Sequence, residues 1–139
     1  MILVDTSGLL AAFDRREPLH EQALAAVEQM PPPRLLSPFV LAELDYLLRR
    51  RAGPRAQLAA LGEVATGALT LEPFPAEDVE HAMGIVDRHR DSGLSLADAS
   101  VVVLAHRHRT RNVLTLDHLH FRVLPGPEGQ PFRILPADA

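Results

Sequence analysis

The chain has 139 residues, 47% apolar and 23% charged, the balance of a soluble globular protein and a length suited to one folding unit over residues 1–139. It has no cysteine, which excludes disulfides, zinc–thiolate sites, iron–sulfur clusters and thiol nucleophiles together. Its 14 basic residues, every one an Arg, stand against 18 acidic ones; the net charge of −4 argues against coating nucleic acid through broad positive charge.

No apolar run approaches the roughly 18 residues of a membrane span. The opening Met1-Ile2-Leu3-Val4 meets Asp5 with no basic region before it, so no signal peptide is expected and a cytoplasmic location is. Residues 2–4 read as a short buried strand and 7–13 as a helical turn or two. An amphipathic helix over 18–30 is stopped by Pro31-Pro32-Pro33, and 34–36 read as a second strand. Ser37-Pro38 is a helix start, with Ser as the cap and Pro in the first helical position. That helix runs to about residue 52, where Gly53-Pro54 closes it and opens another to about 66. A third strand at 69–71 lies between Gly67 and Pro73, and a helix over 76–90 breaks at Ser92-Gly93. A further helix is expected over 95–109, a fourth strand over 113–116, and a fifth over 132–135 after a turn rich in Pro and Gly. Such alternation implies an α/β fold, a parallel sheet with helices on both faces. Ligands of these sheets bind at the carboxyl ends of the strands, near the switch in strand order.

Four acids stand where that rule points. Asp5 and Asp117 each follow a strand, and each has an equally good reading as the cap of the next helix. Glu43 has Phe39, Val40, Tyr46 and Leu47 as helical neighbours, an apolar setting in which a lone charge is costly; a buried ion pair with an Arg competes with a functional role. Asp45 nearby reads as a solvated pair with Arg49. Asp98 has Leu94, Val101 and Val102 around it, and Ser95-x-x-Asp98 also matches a capping box. Four carboxylates in one crevice raise each other's pKa unless a cation joins them. A hard divalent ion, Mg²⁺ or Mn²⁺, suits oxygen donors and phosphate chemistry.

These residues resemble a known family. Val4-Asp5-Thr6-Ser7-Gly8-Leu9-Leu10 is similar to the opening of a PIN-domain nuclease of the VapC type, the toxin of bacterial toxin–antitoxin pairs. Ser37-Pro38 with Glu43-Leu44, then Leu96-Ala97-Asp98-Ala99, then Leu114-Thr115-x-Asp117 with Phe121 resemble its later motifs, in order, across residues 1 to about 124. The resemblance implies a sheet of about five parallel strands ordered 3-2-1-4-5. It implies Asp5, Glu43, Asp98 and Asp117 as the acidic, metal-holding and catalytic quartet, with Thr6, Ser7 and Thr115 as accessory polar groups. It further implies metal-dependent endonucleolytic cleavage of RNA, a second copy of the chain as partner, and an antitoxin protein that blocks the site. A PIN nuclease in RNA processing outside such a pair, and a catalytically silent interaction domain, are the alternatives.

An aspartyl-phosphate phosphatase also places Asp after its first strand, but expects a second Asp where Ser7 stands and a Lys that this chain lacks. The pairs His106-x-His108 and His118-x-His120 read as surface or helix-end residues rather than ligands, since i,i+2 positions do not share a helix face. Arg49-Arg50-Arg51 and Arg107, Arg109, Arg111 read mainly as helix-end charge compensation, with a phosphate-gripping rim as the other possibility.

Overall fold

A computed structural model describes all residues 1–139. Five short strands, β1 (Ile2–Val4), β2 (Arg34–Leu36), β3 (Thr70–Leu71), β4 (Asn112–Leu114) and β5 (Arg133–Leu135), form one sheet in the order β3-β2-β1-β4-β5. Every neighbouring pair is parallel, as expected; Leu3 faces Leu35 on one side and Val113 on the other. β1, the middle strand, is wholly buried, which explains its uninterrupted Ile-Leu-Val.

The helices are α1 (Thr6–Phe13), α2 (His20–Gln29), α3 (Pro38–Ala52), α4 (Pro54–Ala65), α5 (Ala76–Arg88), α6 (Leu96–His108) and α7 (His118–Phe121). By the right-handed crossover rule, those joining β1 to β2 and β3 cover one face and those joining β3 to β4 the other. Three details depart from the sequence reading. The helix expected to reach 90 ends at Arg88 and gives way to a short 3-10 turn, Arg90–Ser92. β4 runs Asn112–Leu114, starting one residue and ending two residues earlier than expected, although the Thr115 amide still donates to the Leu135 carbonyl at 3.1 Å. The third is α7, which is too short to show a period and to which only the reading of Asp117 as a helix cap points.

Starts and stops follow the local chemistry. The Ser37 hydroxyl accepts from the Phe39 amide at 3.2 Å, with Pro38 in the first helical position. Gly53, at φ 87°, ends α3 in a conformation that L side chains avoid, and Pro54 opens α4. A buried hydroxyl pair, Ser37 Oγ to Ser100 Oγ at 2.6 Å, ties the start of α3 to α6. α6 is apolar on nearly every side, with Val101, Val102, Val103 and Leu104 all buried, and is the central helix of the core. No helix is long and apolar enough to cross a membrane.

Candidate active site

The carboxyl ends of β1 and β4, adjacent in the sheet, open into a cleft of about 290 Å³. Asp5, Glu43, Asp98 and Asp117 all line it, with Thr6, Ser7, Ser95 and Arg51. The four acids come from β1's end, α3, α6 and the start of α7, so only folding brings them together.

Asp5 is held first. It occupies the cap position of α1, yet its side chain accepts no capping hydrogen bond, so the capping interpretation fails. Its Oδ2 instead accepts from the Thr115 hydroxyl at 2.7 Å and the Ser7 hydroxyl at 3.3 Å. Those two hydroxyls lie 3.1 Å apart; Ser7 also receives the Leu116 amide at 2.9 Å and Thr115 the Asp117 amide at 3.0 Å. Thr115 and Ser7 thereby fasten β4's exit to β1's. Gly8 permits this closeness: a Cβ there would lie 2.5 Å from the Leu114 carbonyl oxygen.

Burial pushes the Asp5 carboxyl up to about 7; the Thr115 hydrogen bond pulls the other way, and the charges of Asp98 and Asp117 add to the rise. Asp98 also lies above the usual carboxylate range, chiefly through desolvation, with Ser95 opposing and Asp117 adding. The capping box at Ser95 is real: the Ser95 hydroxyl receives the Asp98 amide at 3.1 Å, and Asp98 Oδ2 receives the Ser95 amide at 3.4 Å. Capping and cleft lining coexist, because the box itself fixes the carboxylate at the cleft wall.

Asp117 likewise caps α7, accepting the His120 amide on Oδ1 at 3.0 Å. Its Oδ2 lies 2.7 Å from His120 Nδ1, while His120 Nε2 lies 2.9 Å from the Ser92 carbonyl oxygen. An oxygen faces each ring nitrogen, and the Ser92 carbonyl and Asp117 raise the imidazole's pKa above its ordinary value. Donor atoms of Asp98, Asp117 and His120 lie within 4.8 Å of one another. His120 does lie at a helix end, as expected, but its ring is also turned into the cleft, beside Asp117 and Asp98. Its only signal was position, three residues past Asp117; its other partner, Ser92, is remote in sequence.

Glu43 requires a correction. It lines the cleft but is exposed and forms no ion pair, so it is neither on a buried apolar face nor part of a structural salt bridge. The buried side of α3 is Val40, Leu44 and Leu48, and Tyr46 is 57% exposed. Asp45 does not pair with Arg49; Gln57 of α4 lies between them, donating to Asp45 at 2.7 Å and accepting from Arg49 at 3.2 Å.

The donor set is one of hard oxygens. Besides the carboxylates, Thr6 Oγ1 is buried, has no hydrogen-bond partner, and belongs to a residue of the cleft wall. A buried carboxyl driven to about 7 beside two further acids is a site short of positive charge. These residues fit a divalent cation of the Mg²⁺ or Mn²⁺ type.

The PIN-domain family model matches residues 2–125. The chain is 43% identical over 135 residues to ribonuclease VapC26 of Mycobacterium tuberculosis, covering 97% of this chain and 100% of that protein. It is 30% identical over 117 residues to the 23S rRNA-specific endonuclease VapC20 of the same species, covering 84% and 89%. The crystal structure of M. tuberculosis VapC20, described as a sarcin–ricin loop cleaving toxin, superposes with a TM-score of 0.78 at 29% identity, covering 84% of this chain and 90% of that one. A toxin–antitoxin complex from Klebsiella pneumoniae shares the fold, with a TM-score of 0.69 at 21% identity over 91% and 95% of the two chains.

Proposed function

Since the chain belongs to the PIN-domain family, in its VapC branch, we propose that it is the toxin of a toxin–antitoxin pair and a metal-dependent endoribonuclease. The observation that carries this reading is the convergence of Asp5, Glu43, Asp98 and Asp117 on one cleft, with Asp5 buried and pushed up to about 7. Asp5, Asp98, Asp117 and the exposed Glu43 are the residues that would hold the ion, Mg²⁺ or Mn²⁺. When bound, such an ion supplies positive charge for the scissile phosphate and acidifies a water.

The chain's own residues set up that chemistry. Thr115 and Ser7 orient the Asp5 carboxylate, and both hydroxyls act on the same oxygen, so Oδ1 takes no side-chain hydrogen bond. The Ser95 box fixes Asp98. His120 aligns Asp117 through its amide and its Nδ1, and each Asp117 oxygen retains a further lone pair. His120 Nδ1 lies 3.9 Å from Asp98 Oδ2 as well, in the same cleft.

The partners that follow are RNA, a cognate antitoxin and a second copy of the chain. Tyr46, Leu58 and Leu61, exposed on α3 and α4, give apolar surface for self-association; a monomer by light scattering at all concentrations would remove that element. The activity is tested on purified ribosomal RNA with Mg²⁺, with Mn²⁺ and with EDTA, using wild type and Asp98→Asn. Internal cuts that need the ion and vanish in a normally folded Asp98→Asn are expected. Cleavage in EDTA, or full cleavage by that variant, would refute the reading.

A further inference from the structure

An acidic cleft that holds a cation also repels the polyanion it must cut. Arg51, at the end of α3, lines the cleft and also a second depression of about 650 Å³ beside it, whose wall carries Arg15, Arg16, Arg51 and Arg55. The one acid in that wall, Asp14, is buried and already committed. It accepts the Arg16 amide at 3.0 Å, Arg16 Nε at 3.1 Å and Arg16 Nη2 at 3.2 Å. Arg16 also donates to the Arg51 carbonyl, so the Asp14–Arg16 pair braces the end of α3 against the end of α1.

The remaining cations are less committed. Arg51's sole ion pair is with Glu17 at 3.7 Å, and the exposed Arg15 and Arg55 have no partner. The same helix end shows the contrast: Arg49 is bonded to Gln57, and Arg50 reaches the Tyr46 hydroxyl and stacks over its ring, 5.4 Å from the centroid. Helix-end compensation explains three arginines in the last turn of α3 but not a groove that gathers Arg15 and Arg55 from other segments.

We propose that this arginine groove is a backbone-phosphate subsite, gripping the RNA strand beside the bond cut in the cleft. The proposal rests on the ribonuclease reading above and extends it to how substrate is held. Guanidinium groups match phosphate oxygens bidentately and fix a strand's register without reading its bases. With five Phe, one Tyr and no Trp in the chain, stacking offers little alternative grip.

The test compares wild type, Arg51→Ala/Arg55→Ala and Arg49→Ala/Arg50→Ala on a fluorescein-labelled single-stranded RNA of mixed sequence. Cleavage kinetics with Mn²⁺ are read beside binding across a salt series in EDTA. For the groove variant, KM rises roughly three- to twenty-fold, the scale of exposed charge interactions, and the loss falls on KM rather than kcat. The slope of log affinity against log salt becomes shallower by about 0.7 for each phosphate the variant no longer neutralises. The Arg49→Ala/Arg50→Ala control keeps the wild-type slope and KM. A groove variant with unchanged KM and slope overturns the subsite while leaving the nuclease reading intact. A wild type that neither binds nor cuts RNA overturns both. Normal RNA behaviour in a groove variant that no longer binds polyglutamate would instead assign the groove to an acidic protein segment and overturn the proposal.

Discussion

The energetic state of Asp5 yields the sharpest expectation. Its carboxyl moves from an ordinary 3.8 to about 7 on folding, because burial disfavours the anion more than Thr115 supports it. The folded state thus keeps a proton that the unfolded chain releases. Stability from this group is complete below about pH 4 and is lost as pH rises through about 7. At 1.36 kcal/mol per pH unit, the displacement corresponds to about 4 kcal/mol lost by neutral pH and above. The raised pKa of Asp98 acts in the same direction. Asp5→Asn removes the ionisation while retaining an oxygen for the Thr115 hydroxyl. In EDTA the variant should melt on the order of 10 °C above wild type at pH 8, and the gap should close toward pH 4. Adding Mn²⁺ should raise wild type, by about 2.7 kcal/mol at a hundredfold excess over the dissociation constant, and raise the variant much less. The assay is a melt series over pH with and without the ion. Coincident profiles for the two proteins in EDTA at pH 8 would refute the idea that Asp5 is ionised at a cost.

Gly8→Ala should destabilise by about 1–3 kcal/mol, since the new methyl meets the Leu114 backbone rather than a flexible side chain, and urea midpoints would show it. Because it parts β1's exit from β4's, cleavage should fall as well; wild-type stability would show that α1 shifts freely. Glu43→Gln should leave metal-free stability within about 0.5 kcal/mol, as befits an exposed, unpaired side chain, while shrinking the Mn²⁺-induced rise in melting temperature. An unaltered Mn²⁺ response would remove Glu43 from the ion's ligands.

Much of this protein is written locally. Ile2–Val4 ends in Asp5, Ser37-Pro38 starts α3, Gly53-Pro54 separates two helices, and Ser95 with Asp98 forms a capping box; each depends on residues within a few positions and is legible in the linear chain. The alternation of these elements implied the parallel sheet, and the resemblance of four short motifs supplied strand order and acidic quartet. Tertiary structure decided what depends on which surface covers which. Helical spacing named Glu43's neighbours but not the side of α3 that the rest of the fold buries, so an exposed carboxylate looked sequestered. Four-residue α7 has no period to detect, and the His120 pKa rises only when its ring meets both Asp117 and the distant Ser92 carbonyl. Gly8 matters through Leu114, and Arg51 through a groove assembled from α1's end and α4's start. Backbone propensity and capping are near-neighbour effects that a linear sequence displays, whereas burial, close approach and summed charge are set by residues far apart in the chain, which only packing brings together.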